Sequence, residues 1–155
     1  MDLIAHFIIG LVLYRFTGNI FAIPLTVILD FDHFLGFVYD KKKIKFNGLP
    51  HIMHLAYRPR TRMHNLIATL LFGVFLSFFM PWKIAFIPLL LHLFFDSLDK
   101  SGIYLLPFGP KWKIKGILPV GYLIDKPEDV HKHKRSHIPS LIVMIAGILL
   151  LLFYK

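Results

Sequence analysis

Five apolar segments constrain the fold of this chain more than any other feature of its sequence. They cover residues 3–16, 19–38, 64–80, 84–98 and 138–154. Hydrophobic residues make up 56% of the 155 residues and charged residues only 17%, and the mean hydropathy is +0.63. This balance lies outside the range of ordinary soluble domains. The sequence therefore predicts an all-α fold, an integral membrane bundle of about five helices that forms one domain over residues 1–155.

The breaks between the segments indicate how the predicted helices are connected. The sequence "TGN" at 17–19 separates the first pair, and "MPWK" at 80–83 separates the second pair, so each pair is predicted to form a helical hairpin. Residues 101–124 are apolar but interrupted by glycine and proline. We expect them to form an interfacial loop before the last helix rather than a further span.

The distribution of positive charge predicts a topology. The formal net charge is +9, and 15 of the 18 basic residues lie in two polar stretches, 40–63 and 99–137. By the positive-inside rule these stretches and the N-terminus are cytoplasmic and the C-terminus is outside, which is the orientation expected in a cell (inner) membrane. The first segment lacks the basic start and cleavage site of a signal peptide and is predicted to be a retained helix.

Ionisable residues interrupt the apolar segments at a single predicted depth. Charged groups within a membrane span are expensive, at roughly 2.5–3.5 kcal/mol for Asp at a helix centre, and they usually mark a functional site. Two pairs are spaced to face one side of a helix, His92 with Asp96 at i and i+4 and Asp30 with His33 at i and i+3. The residues at this depth are His6, Asp30, Asp32, His33, His64, His92 and Asp96.

These residue types favour a divalent metal ion. The chain contains no cysteine, so a metal must be held by His, Asp or Glu. Imidazole with carboxylate suits Zn²⁺ best and also accepts Mn²⁺ or Fe²⁺. A carboxylate that bridges two metal ions would activate water and stabilise a phosphoryl oxyanion. The alternatives are hydrogen bonds or an ion pair between helices, and a helix cap or proton relay at Asp30 and Asp32.

Four sequence elements in order resemble the membrane-bound metal-dependent hydrolase family. They are His6, "LDFDHF" at 29–34, "PRTRMHNL" at 59–66 and "HLFFDSLDKSGIYLLPF" at 92–108. The last is the most specific, because it fits the family's H-x-x-x-D motif, the glycine after it and a leucine-rich stretch that ends in proline. The family is in turn similar to zinc-dependent phospholipase C and single-strand nucleases, which are helical phosphoesterases.

The resemblance implies a role for each matching residue. Asp32 would be a further ligand or the base that activates water, and Arg60 would be the cation that binds phosphate. Pro59 stands where the family has the first His of its H-R element, and His33 or His54 is a candidate to replace that histidine. The metal ligands implied by the resemblance are His6, Asp30, His64, His92 and Asp96; the spacing from Asp30 adds His33.

Three functions are compatible with these features. The first is a membrane hydrolase in which metal-activated water attacks a phosphoester of a lipid or lipid-linked substrate at the cytoplasmic face. The second is a transporter or a non-catalytic metal-binding membrane protein, but segments such as "LIVMIAGILLLLF" offer no continuous polar path. The third is a nucleic-acid-binding membrane protein with steeply salt-dependent binding. Because the aromatic residues are not interleaved with the lysines, we expect lipids rather than nucleic acid as partners.

Overall fold

Helices dominate the part of the chain that the structure describes. The structure is a computed structural model, and it describes residues 3–31, 64–98, 102–106, 113–114, 116–117 and 138–153. Its elements are α1 (Leu3–Thr17), α2 (Ala22–Val27), a 3₁₀ turn (Ile28–Asp30), α3 (Leu66–Ser77), α4 (Trp82–Ser97), β1 (Ile103–Tyr104), β2 (Lys113–Ile114) and α5 (Ile138–Phe153).

The predicted integral membrane bundle is wrong. No helix in the described ranges combines the length and the apolar character needed to cross a membrane. The longest helices among the described residues, α4 and α5, have 16 residues each. At about 1.5 Å per residue each spans about 24 Å, less than a hydrocarbon core of about 30 Å. This finding contradicts three predictions made from the sequence. They are the transmembrane helices, the location in a cell (inner) membrane and the inside–outside topology.

The physical reason in two of the five segments is that the apolar stretch runs beyond the helix described within it. Residues 19–38 were predicted as one span, but α2 ends at Val27 and the chain then tightens into the 3₁₀ turn. Residues 64–80 contain a helix of only 12 residues, which ends at Ser77. Residues 101–124, predicted as an interfacial loop, contain the described strands β1 and β2, which pair antiparallel. Hydropathy reports composition and does not report where a helix ends.

Small residues set the packing of the helices around α1. Helix α1 packs against α2 and α5, while α4 packs against α2 and α3. A Cβ atom on Gly10 would lie 2.4 Å from Thr26 Oγ1 and 2.9 Å from Ile23 Cα, so only glycine permits this approach of α2 to α1. Gly147 has the same role between α5 and α1, because its Cβ atom would lie 2.5 Å from Ile8 Cγ2. The two close contacts hold α1 between α2 and α5.

Local sequence signals begin the two central helices. The Asn65 side chain accepts a hydrogen bond from the Ala68 backbone N–H at 2.8 Å, which is the N-cap contact that starts α3. Helix α4 begins at Trp82, directly after Pro81. Asn65, the N-cap of α3, is the residue directly after His64. The cap contact therefore fixes the direction in which the chain leaves His64.

Candidate metal site

Five of the eight predicted site residues meet at one place between the helices. His6 comes from α1, Asp30 from the 3₁₀ turn, His64 from the residue before the cap of α3, and His92 and Asp96 from α4. The three histidines are fully buried and Asp96 is 1% exposed. The side chain of Asp30 is 13% exposed, so it is the most accessible member.

The Asp96 carboxylate is the centre of this cluster. Its Oδ1 atom lies 3.2 Å from His6 Nε2. Its Oδ2 atom lies 3.1 Å from His64 Nε2 and 3.2 Å from His92 Nε2. The two oxygens thus face histidines from three separate parts of the chain, and a carboxylate placed in this way is able to bridge two positive centres.

The donor atoms lie close enough together to share one small divalent ion. Ligands at about 2.0–2.2 Å from a tetrahedral metal lie about 3.3–3.6 Å from one another. Asp30 Oδ1 lies 3.6 Å from His92 Nε2 and 4.0 Å from His64 Nε2. Ligand atoms of His6, Asp30, His92 and Asp96 all lie within 4.8 Å of one another. This group could therefore hold a metal ion, and His64 borders it.

A backbone carbonyl fixes the orientation of the His92 ring. The Thr26 carbonyl oxygen lies 2.6 Å from His92 Nδ1, and a carbonyl can only accept, so Nδ1 donates its hydrogen there. In the neutral ring Nε2 then keeps its lone pair and faces the cluster. It lies only 2.8 Å from His64 Nε2. Two nitrogen lone pairs at this distance repel each other unless a proton or a metal ion lies between them.

The environment of His6 favours its neutral form. Burial lowers the pKa of His6 below its usual range, and the nearby His92, whose ring stacks on it at 3.8 Å between centroids, lowers it further. The hydrogen bond to Asp96 opposes these effects only in part. Metal ions bind neutral imidazole, so the lowered pKa reduces competition from protons near neutral pH.

The other predicted site residues lie outside the described part of the chain. These are Asp32, His33 and Arg60, together with the candidate replacement His54. Sequence reasoning missed the roles of Thr26 and Gly10. Thr26 orients His92 through its backbone carbonyl, and no sequence pattern reports such a contact. Gly10 acts by allowing α1 and α2 to approach each other closely. Only the small size of Gly10, one turn after His6, was visible in the sequence.

The fold and the site together define a class: a mostly helical protein with a buried His/Asp cluster that could hold a metal ion. Comparisons with protein-family models, curated proteins and solved structures gave no match. The resemblance to the metal-dependent hydrolases therefore stays a prediction that depends on the motifs alone.

Proposed function

We propose that the protein is a metal-dependent hydrolase of phosphoesters that uses Zn²⁺. The observation that carries the proposal is the Asp96 carboxylate, whose two oxygens lie within hydrogen-bond distance of three buried histidines. Imidazole and carboxylate donors at these spacings are the ligands of catalytic zinc sites that lack cysteine. Mn²⁺ and Fe²⁺ also accept such donors, but three nitrogen atoms favour zinc.

The reaction follows from the ligand chemistry. A divalent ion, when bound, lowers the pKa of water and stabilises negative charge on the phosphoryl oxygens. Hydrolysis joins the water oxygen to phosphorus, breaks the bond from phosphorus to the alcohol oxygen, and delivers one proton of the water to the departing alkoxide. We assign Asp32 as the base that carries this proton and Arg60 as the cation that binds the phosphate. Asp30, the most accessible ligand, would lie on the substrate side of the site.

Metal analysis of three variants tests the proposal. We expect purified wild-type protein to hold zinc and to hydrolyse bis(4-nitrophenyl) phosphate. His92→Ala and Asp96→Ala should lose both properties, because each removes a ligand from the centre of the cluster. Ser97→Ala is the matched control, since Ser97 follows Asp96 in α4 and its hydroxyl donates only to the Phe94 carbonyl among the described contacts. A folded Asp96→Ala protein with wild-type zinc content and turnover would refute the assignment.

The burial of the cluster favours one second candidate, a non-catalytic metal site. Structural zinc sites are closed, whereas catalytic sites keep a position open to water or substrate. Four of the five clustered side chains are at most 1% exposed. A zinc-loaded protein that hydrolyses no phosphoester, and whose melting temperature falls when zinc is chelated, would establish this candidate in place of the hydrolase.

A further inference from the structure

An apolar pocket lies between α1, α4 and α5. Its volume is about 370 Å³, and all ten described residues that line it are apolar. They include Ile9 and Leu13 on α1, Leu91 and Phe95 on α4, and Ala146 and Gly147 on α5. The small residues on α5 leave the space that larger side chains would fill. We call this space the α5 pocket.

The α5 pocket and the cluster flank the same stretch of α4. Leu91 directly precedes His92, and Phe95 directly precedes Asp96. Neighbouring residues of a helix differ by about 1.5 Å along the axis and about 100° around it, so pocket and cluster lie at one height on adjacent faces. On α1, Ile9 follows His6 by about one turn. A molecule that contacts both places needs a polar end and an apolar end that lie close together.

The lining of the pocket determines what its occupant can be. A volume of 370 Å³ falls within the range of about 300–1,000 Å³ that is typical of small-molecule sites. An inserted peptide would bring N–H and C=O groups that find no side-chain partner on this lining, and burying them unpaired is costly. A hydrocarbon chain needs no such partner and gains free energy from every methylene group that leaves water.

We infer that the α5 pocket binds the hydrocarbon chain of an amphiphilic phosphoester whose phosphate group is held at the metal cluster. This inference rests on the proposed phosphoesterase function and specifies its substrate class. Specificity for the hydrocarbon chain of the substrate then comes from residues of α1, α4 and α5. The reaction itself takes place among the residues of the cluster.

The length of the alkyl chain of the substrate is the variable that tests the inference. Alkyl 4-nitrophenyl phosphates with ethyl, butyl, hexyl, octyl and decyl chains release a chromophore, and each is used below its micelle concentration. We expect KM to fall by up to about fourfold for each added methylene. The fall should stop once the chain is longer than the pocket. In parallel, calorimetry with the matching alkyl phosphates measures binding without turnover.

Two variants change the pocket in opposite directions. Ala146→Leu fills it from an exposed helical position that accepts leucine readily, and it should remove the dependence on chain length while ethyl-ester turnover stays. Leu13→Ala enlarges the pocket and should extend the dependence to longer chains. Leu149→Phe is the matched control, because it adds bulk to an exposed position of α5 outside the pocket.

The outcomes separate this inference from the proposed function. Turnover and calorimetric affinity that do not depend on chain length would overturn the inference and leave the hydrolase intact. Calorimetric affinity that rises with chain length and is blocked by Ala146→Leu, without turnover of any ester, would overturn the hydrolase and leave the pocket as a hydrocarbon site.

Discussion

The contact of Gly10 with α2 links the stability of the fold to the metal cluster, and Gly10→Ala tests that link. The new Cβ atom would lie 2.4 Å from Thr26 Oγ1, 2.9 Å from Ile23 Cα and 3.1 Å from Ile23 O. Two of these three atoms belong to the backbone, so a change of rotamer cannot relieve the contact. Ordinary contact begins at 3.4 Å, and α1 must therefore move away from α2 by up to about 1 Å.

The expected loss of stability is the difference of two opposing effects. Alanine is better than glycine inside a helix by about 1 kcal/mol. Overpacking a tight contact costs about 1–3 kcal/mol, and a clash with backbone belongs in the upper half of that range. The net effect on the free energy of unfolding should be a decrease of about 1–2 kcal/mol.

The same displacement should weaken metal binding. His6 precedes Gly10 by four residues on α1, and the Thr26 carbonyl on α2 accepts the hydrogen bond that orients His92. Separating the two helices therefore moves one ligand and disturbs the partner of another. Loss of such an orienting contact typically lowers metal affinity by about 10–100-fold, and we expect this range for Gly10→Ala.

Zinc affinity is measured by competition with a chromophoric chelator, and stability by urea unfolding in the presence of EDTA. Gly73→Ala is the control, because the three atoms nearest to its Cβ atom, at 2.7–3.2 Å, all belong to the side chain of the half-buried Phe86 and none to backbone. This variant should keep wild-type zinc affinity. If Gly10→Ala kept both wild-type affinity and wild-type stability, the proposed coupling between helix contact and cluster would be refuted.

Two further predictions concern the start of α3 and the titration of His6. Asn65→Ala removes the cap of the Ala68 N–H and should lower the free energy of unfolding by about 1 kcal/mol, while Asn65→Ser, which keeps a neutral side-chain acceptor, should lower it less. Because the pKa of His6 is lowered in the folded state, the unfolded chain binds its proton more readily. In EDTA, stability should therefore fall as the pH drops below about 6.5, by at most about 1.4 kcal/mol per pH unit. In His6→Gln the free energy of unfolding should decline less steeply with falling pH than in the wild type. Equal slopes for the two proteins would contradict the conclusion that burial lowers the pKa of His6.

Local spacing was a sound guide to parts of the site. The i, i+4 relation of His92 and Asp96 predicted that they share one face of α4, and their side chains lie 3.2 Å apart. What brings His6 and Asp30 to them is the packing of α1 and α2, not the common membrane depth from which their proximity was predicted. That topology is wrong, so the five residues that lie together in the structure were grouped for a wrong physical reason.

Composition could not reveal how the apolar side chains are distributed. Many large ones lie on the surface, including Phe78 at 81% and Phe153 at 78% exposure. The buried apolar positions combine small residues such as Ala5 and Ala22 with larger ones such as Leu89 and Leu93. A hydropathy average counts exposed and buried residues alike, and it therefore predicted spans where the structure has helices of at most 16 residues among those described.

The charge balance of the cluster supports the proposed divalent ion. Buried carboxylates require compensating positive charge, because an unpaired charge away from water is strongly unfavourable. His6 is a poor source of that charge, since burial lowers its pKa and keeps it neutral near pH 7. The His92 ring donates from Nδ1 to a backbone carbonyl and turns its other nitrogen toward Asp96. A divalent cation would neutralise the carboxylates of Asp30 and Asp96 together and would also bind the lone pair on Nε2 of His92.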